Sequence, residues 1–520
     1  MRIRHVGVLW VLAGLGLLAP LVVQAAAPKP DAPKPPAAKQ DVKKPAAPKQ
    51  DTKQPAAPKQ SAKKPDPPKP DPKKPAAPKP VVKKPAPPKP DAKKPVAPKP
   101  TPPRQTAKTP AAPKQEAKKP PPPKAVAGEG TLVFPVTASL AGAKPAPAAE
   151  CVVAFGPPVA VSAMAFSPDG KQLAVGAYQE VLLWDVAEGK LTRRIGTGQL
   201  AGRVGALAFL EKGKQLAVGE AEPGKPGAVK LFDTAGGKLL ATLKEPPEAV
   251  QCMAVSPDGK YLAAGGAYND VHVWTVKDRK LATTIRGHNG WVTDLCFSPD
   301  GKQLATASAD KMVLVWHIGK WDQVVRLPHT EPVHGVAFGP DNRSLMCAVG
   351  GLTEWAVRLR RTDNARSNRA YYPGAGMPLA LLWAAKTSRI YVAGSDKTVK
   401  IMQTNGRVYG TCTGHTDWVY AVALSPDAKK LASGSRDGTV RLWNPTDGKP
   451  LATLVQLAPR TDQWLFMTAP GYLATSSAGA LQWQPTGKPV PADKLLAALQ
   501  NTESIRKVLA GAKVAPPVLK

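Results

Sequence analysis

His415, Ser433 and Asp437 fall within one stretch, GHTDWVYAVALSPDAKKLASGSRDGTVRLWN, residues 414–444. A histidine, a hydroxyl and a carboxylate are the parts of a hydrolytic triad, in which the imidazole takes the proton of an attacking serine. A second stretch, GHNGWVTDLCFSPDGKQLATASADKMVLVWH, residues 287–317, offers His288, Thr306 and Asp310 in the same order. From His to Asp is 22 residues in both, and from Asp to the next tryptophan, Trp316 or Trp443, is 6. A catalytic serine needs exposure at a cleft, beside donors for an oxyanion. Ser433 lies mid-run in LASGS, without the glycines of a nucleophile elbow. An enzyme seldom carries its triad twice, whereas a repeated unit carries its staple as often as it is repeated.

The elements around these residues do repeat, with a period near 42. An apolar run meets a turn in AFSPDGKQLAVG, AFLEKGKQLAVG, AVSPDGKYLAAG, CFSPDGKQLATA, AFGPDNRSLMCA, LWAAKTSRIYVA and ALSPDAKKLASG. Proline presets the first central turn position, and Asp–Gly accepts the left-handed one that follows. A third run follows each turn pair, as in VLLWD, VHVWT and VRLWN, and a fourth closes the unit, as in KLATTI and PLATL. Alternation in these runs predicts four-stranded antiparallel meanders.

Composition divides the chain. It has 520 residues, 60 prolines and a formal net charge of +34. Residues 27–125 repeat every ten (DAKKPVAPKP, DPKKPAAPKP) and hold 26 Lys/Arg against 7 Asp/Glu, so 26 − 7 = +19 of that charge lies there. Apolar residues in this tract are almost only Ala, Val and Pro, too little to offset the entropy of ordering. A disordered, polyproline-biased cationic spacer is expected. The basic balance thus belongs to a tail, and argues against a nucleic-acid-binding domain. Anionic wall polymers or a membrane surface are the tract's candidate partners.

The N-terminus, MRIRH followed by VGVLWVLAGLGLLAPLVV and VQAAA, has the three parts of an export signal. The expectation is a signal peptide over 1–26 and a periplasmic or cell-envelope location, with an uncleaved membrane anchor as the alternative. Cys151, Cys252, Cys296, Cys347 and Cys412 are scattered and odd in number, which suits buried thiols and not a disulfide framework or zinc site. There is no phosphate loop, dinucleotide fingerprint, HExxH or metal-spaced histidine cluster. No catalytic, cofactor or metal residue is assigned.

The GH…D…W spacing together with the SPDG turns resembles WD40 repeats, and the chain resembles bacterial secreted WD40 proteins over 151–485. The resemblance implies an all-β propeller over 151–487, after a connector at 126–150. DQWLFMTAPGYLATSSAGALQWQP reads as an eighth unit lacking its fourth strand. In this family an N-terminal strand, here ECVVAF or TLVFPV, completes the last blade. The count therefore favours eight blades over the rival of seven with an external hairpin. In residues 488–520, Leu495, Leu496 and Leu499, then Ile505, Val508 and Leu509, predict two short helices, with Thr502 or Asn501 as a cap and Gly511 as a stop.

By match to the family, His288–Thr306–Asp310–Trp316 and His415–Ser433–Asp437–Trp443 would be structural tetrads. Physically, the turn carboxylate needs donors, the imidazole donates to it and accepts from the hydroxyl, and the indole N–H completes the chain. The resemblance also implies a non-catalytic scaffold, a monomer, binding a protein partner. Its binding face would include Gln179, Arg203, Asn269, Trp291, Trp418 and Arg436; Trp and Arg are favoured hot-spot residues. A weaker candidate is the basic run Arg358, Arg360, Arg361, Arg366 and Arg369, in which Arg358 and Arg360 share a strand face as a fork for carboxylate or phosphate, against a plain solvated edge. Two other functions compete: a wall-associated structural protein binding through the Lys/Pro tract, and a propeller hydrolase.

Overall fold

The computed structural model describes residues 130–519, except 141–145, 157, 223, 244–245 and 486–491. The expected export signal and Lys/Pro tract lie outside the described residues. Seven four-stranded antiparallel meanders follow one another, at 164–195, 204–243, 250–285, 292–328, 333–371, 378–412 and 419–456. They are blades 1 to 7. Their innermost strands stand side by side in sequence order, and Val419–Leu424 of blade 7 packs beside Met164–Phe166 of blade 1. The ring is therefore closed with seven blades.

Burial follows position in the blade. The innermost strands Val204–Leu210, Val292–Phe297 and Pro378–Ala384 are buried at every residue, because each is covered by its own sheet and by both neighbours. The outer strand Lys190–Ile195 is mostly exposed. Trp184, Trp274 and Trp443 fill the space between blades. The SPDG turns build themselves: Ser256 Oγ donates to Asp258 Oδ1 at 2.6 Å, and the Lys260 and Tyr261 amides donate to that carboxylate and hydroxyl. Gly259 sits at φ 73° in the left-handed position that the turn demands.

The preference for eight blades is corrected. Trp464–Thr468 and Leu473–Thr475 extend the sheet of blade 7 as fifth and sixth strands, with Phe466 opposite Leu454. Neither candidate N-terminal strand, TLVFPV nor ECVVAF, completes a blade. Ala146–Phe155, which contains ECVVAF, pairs with Leu481–Pro485 on one side and Gly130–Leu140 on the other, in a separate sheet that also takes Val518–Leu519. Blade 7 has its own fourth strand, Pro450–Gln456, so no edge was left to fill. The seam instead closes through Val161 N–H to Ser435 O at 3.0 Å and through buried Glu180. That carboxylate accepts from Arg194 Nε at 2.7 Å, Gln456 Nε2 at 2.7 Å and the Arg460 amide at 3.0 Å.

Two helices end the chain, α1 (Ala492–Leu499) and α2 (Thr502–Leu509). Asn501 is the cap of α2, accepting from Ser504 N–H at 2.9 Å, and Gly511 follows at φ 86°. Ile505 and Leu509 are buried with Trp184 and Phe466, and Leu495, Leu499 and Val508 are buried as well. α2 thus packs on the seam between blades 1 and 7, while Leu499 of α1 packs with Val455, Leu465 and Leu481 beyond it.

Candidate functional site: two buried tetrads and a loop face

In blade 4, His288 Nδ1 lies 3.0 Å from Asp310 Oδ2 and Nε2 lies 2.8 Å from Thr306 Oγ1. Trp316 Nε1 donates to the same hydroxyl at 3.1 Å. In blade 7, His415 Nδ1 is 2.9 Å from Asp437 Oδ2, Nε2 is 2.7 Å from Ser433 Oγ, and Trp443 Nε1 donates to Ser433 Oγ at 2.7 Å. An ionised carboxylate only accepts, so Nδ1 carries the imidazole proton and Nε2 accepts from the hydroxyl. The chain of donors has one consistent direction, from indole to hydroxyl to imidazole to carboxylate. Thr439 Oγ1 and the Thr416 amide also donate to Asp437.

Electrostatics agree with that assignment. Burial pushes His288 and His415 below the usual histidine value, outweighing the neighbouring carboxylates. Burial opposes ionisation of Asp437, but hydrogen bonds from His415, Thr416 and Thr439 outweigh it and hold the carboxyl below its usual range. Each pair is a neutral imidazole on an ionised carboxylate. Thr306 and Ser433 are fully buried, out of reach of a substrate carbonyl.

The six loop-face residues form two groups. The Gln179 amide donates to Gly202 O at 2.9 Å, and Tyr178 bridges Arg203, which joins blades 1 and 2. The Arg436 amide donates to Trp418 O at 2.9 Å. Arg436 and Arg203 both act electrostatically on buried Tyr420, whose ring meets Trp418 edge-on at 6.3 Å. Gln179, Arg203, Trp418 and Arg436 thus share the rim of blades 7, 1 and 2. Asn269 and Trp291 form the second group, since Val292 N–H donates to Tyr268 O. Trp291 is 50% exposed, whereas Trp418 is half-buried.

The basic run is not a ligand fork and not a plain solvated edge. Arg360 is 3% exposed, and its guanidinium donates to Pro328 O and Ala365 O, both at 2.9 Å. Arg358 pairs with Glu354 and donates to Asn368. Arg361 is held by Asp363. Only Arg366 and Arg369 of the five are exposed. Strand alternation places Arg358 and Arg360 on one face as expected, but that face turns into the blade.

Sequence reasoning missed the exposed apolar group of blade 5. Leu352 is 86% exposed, Trp355 45% and Tyr372 68%, on the loop between second and third strands and on the exit from the outer strand. The one available signal was GGLTEW, which sets a leucine and a tryptophan between the second and third strand runs. Among the described residues, no group of three or more His, Cys, Asp or Glu is arranged to hold a metal ion. Cys252, Cys296, Cys347 and Cys412 are free and buried.

A family model described as WD domain, G-beta repeat matches residues 149–185, 237–275, 279–317 and 406–444. The chain is a WD40-repeat β-propeller. Two of the matched segments of this WD40 protein contain the tetrads. Each match begins on an outer strand and runs through three strands of the next blade, which is why the first begins on the accessory strand Ala146–Phe155. Nuclear distribution protein nudF 1 of Talaromyces marneffei is 32% identical over 42% of this chain and 43% of its own length. Nuclear distribution protein nudF 2 of Penicillium rubens is 28% identical over 40% of this chain and 39% of its own. Cell division cycle 20.6, cofactor of APC complex, of Arabidopsis thaliana is 25% identical over 58% and 61%. The chain spans less than half the length of these nuclear distribution proteins. These relatives are fungal and plant proteins, so they lend no weight to a bacterial, secreted origin.

Proposed function

We propose that this chain is a non-catalytic scaffold whose propeller docks a protein partner on the loop face. The observation that carries the reading is the contrast between the buried tetrads and the open loop face. Every member of the two tetrads is spent inside a blade, while the loop face leaves Trp291, Leu352, Trp355 and Tyr372 open to solvent, with Arg436 exposed on the rim of blade 7. Aromatic and arginine side chains are the residues favoured in interface hot spots. One relative is named as a cofactor of the APC complex, which supports a scaffold in kind only.

The location and the spacer complete the proposal. Residues 1–26 would direct export to the cell envelope, and 27–125 would hold the propeller away from its anchor point; both rest on the sequence. The test is a crosslinking pull-down from envelope extracts that compares the full chain with residues 126–520. One defined partner, retained by 126–520 and lost on W291A/W418A, is expected. Capture by the full chain alone, stripped by moderate salt, would instead assign binding to the Lys/Pro tract and sink the scaffold reading.

A further inference from the structure

We propose that the junction of blades 4 and 5 binds a small monovalent anion of the halide class, held by His329, Arg358 and Arg360. His329 stands on the connection between Gln323–Pro328, the outer strand of blade 4, and Val333–Phe338, the first strand of blade 5. Its chain neighbours tie it to both arginines. Arg360 donates to the carbonyl of Pro328, the residue before it, at 2.9 Å. Thr330, the residue after it, donates to Glu354, which also accepts from Arg358 Nη2 at 2.5 Å. Both guanidinium groups act electrostatically on the imidazole. Arg358 Nε, Arg360 Nε and both ring nitrogens of His329 are buried and have no hydrogen-bond partner. Buried polar groups are nearly always paired, so four orphaned nitrogens in one cluster call for a ligand.

Charge selects the ligand. Residues 352–372 hold 5 arginines against Glu354 and Asp363 alone. Glu354 is spent on Arg358 and Thr330, Asp363 on Arg361, and Glu331 on Lys311 and Thr353. Arg360 is 3% exposed, and among the described residues no carboxylate acts on it. The Cys347 thiol near it is pushed up to about 12 by burial, so it stays protonated and supplies no counter-charge. The apolar cavity on the ring axis, about 150 Å³ and bordered by Val255, Phe297, Phe338, Trp383 and Leu424, differs in this respect. The turns around it carry lysines and aspartates together and favour neither sign. At the junction one guanidinium is left over, and a buried cation without counter-charge is costly. Water would supply acceptors but no charge. Burial and the two arginines lower His329 to about 3, so its ring is neutral and offers one N–H. The terminal nitrogens of the arginines are engaged by Glu354, Asn368, Pro328 and Ala365, so no fork remains for a carboxylate or phosphate. Three single N–H donors suit a halide, which accepts from any direction.

The test uses the full chain. Crystals grown in sodium bromide should show an anomalous peak between His329, Arg358 and Arg360. Density there that refines as water alone overturns the proposal, and this readout needs no variant. In solution, the broadening of the chloride NMR line reports the same site. The Lys/Pro tract broadens that line in every variant alike, so differences isolate the junction. Arg360→Met and His329→Leu should each narrow the line, while Arg369→Met, which removes an exposed arginine of the same run, leaves it unchanged. Equal narrowing by Arg360→Met and Arg369→Met would assign the effect to general charge and sink the site. The wild-type urea midpoint should rise and saturate with sodium chloride, and rise less with sodium gluconate, whose anion is too large to enter. Equal rises in the two salts would leave only screening and refute the anion.

Discussion

The hydroxyl of Ser433 stands 2.7 Å from His415 Nε2 and, on its other side, accepts the Trp443 indole N–H at 2.7 Å. Serine here links the indole donor to the imidazole acceptor, and its buried oxygen faces no cleft. Ser433→Ala leaves the indole N–H and imidazole Nε2 without partners in a buried site. We expect a loss of about 1–3 kcal/mol in unfolding free energy, read by urea denaturation. Thr306→Ala should lose a similar amount in blade 4, and Thr306→Ser much less. A serine-directed fluorophosphonate should leave Ser433 unmodified in the native protein. A labelled Ser433 peptide by mass spectrometry would reverse the structural assignment.

The same network makes stability depend on pH. His288, His334 and His415 are pushed below the ordinary value of 6.5 chiefly by burial, and burial with Arg360 and Arg358 nearby lowers His329 to about 3. The unfolded chain therefore takes up protons first as pH falls through 6.5. The stability that these neutral imidazoles contribute is present above that value and is lost as pH falls toward their folded values. Asp310 and Asp437, also lowered, add losses in the same direction at still lower pH. Urea midpoints at pH 7.5, 6.5, 5.5 and 4.5 should decline with a steepening slope. His415→Gln should flatten that slope while lowering the midpoint at pH 7.5; an unchanged slope would remove His415 from the account.

Ring closure rests on Glu180. Its side chain is fully buried and takes donors from blade 1 (Arg194), blade 7 (Gln456) and the loop after it (Arg460). Glu180→Ala strands those donors, and removing one partner of a buried pair costs about 3–5 kcal/mol. Hydrogen exchange should speed up first in the innermost strands of blades 1 and 7. Uniform acceleration across all seven blades would mean that the seam is not the weak point of the ring.

Helix α2 acts as a cover for that seam. Ile505 packs with Phe466 over the turn at Gly189, where an added Cβ would sit 2.9 Å from Ile505 Cγ2. Ile505→Ala should destabilise by about 2–5 kcal/mol. Gly189→Ala combines that clash with a residue at φ 67°, and should be destabilising as well. Thermal unfolding of both variants, beside the exposed control Lys513→Ala, checks the pair.

The cysteines give a simpler readout. Burial raises Cys252 and Cys296 well above their usual value and pushes Cys347 and Cys412 up to about 12. Four thiols should stay silent to DTNB at pH 8 and react together once denaturant unfolds the propeller. Fast reaction of any of the four in the native state would contradict its place between blades.

Much of this was local, and local chemistry is legible in sequence. The SPDG turns carry their own serine, proline, aspartate and glycine, so they announce a hairpin wherever they stand. The tetrads recur at fixed spacing because a blade is a contiguous meander, and Asn501 and Gly511 mark a helix that needs no distant partner to be recognised. The blade number was not local. Whether Trp464–Thr468 begins a new blade or widens an old one depends on which edges remain unpaired once Pro450–Gln456 has closed blade 7. Likewise Arg358 and Arg360 read as a surface fork because two-residue alternation says that they share a face, not which way the face turns. The axial cavity has five blades for its wall, and a space made by residues some 170 positions apart in sequence (Val255 to Leu424) exists only once the ring is closed. The sequence by itself determined the turns, the tetrads and the repeated unit, because hydrogen bonding within a meander is short-range. Tertiary structure alone decided the seven-fold closure, the buried arginines and the axial cavity, because these depend on long-range packing.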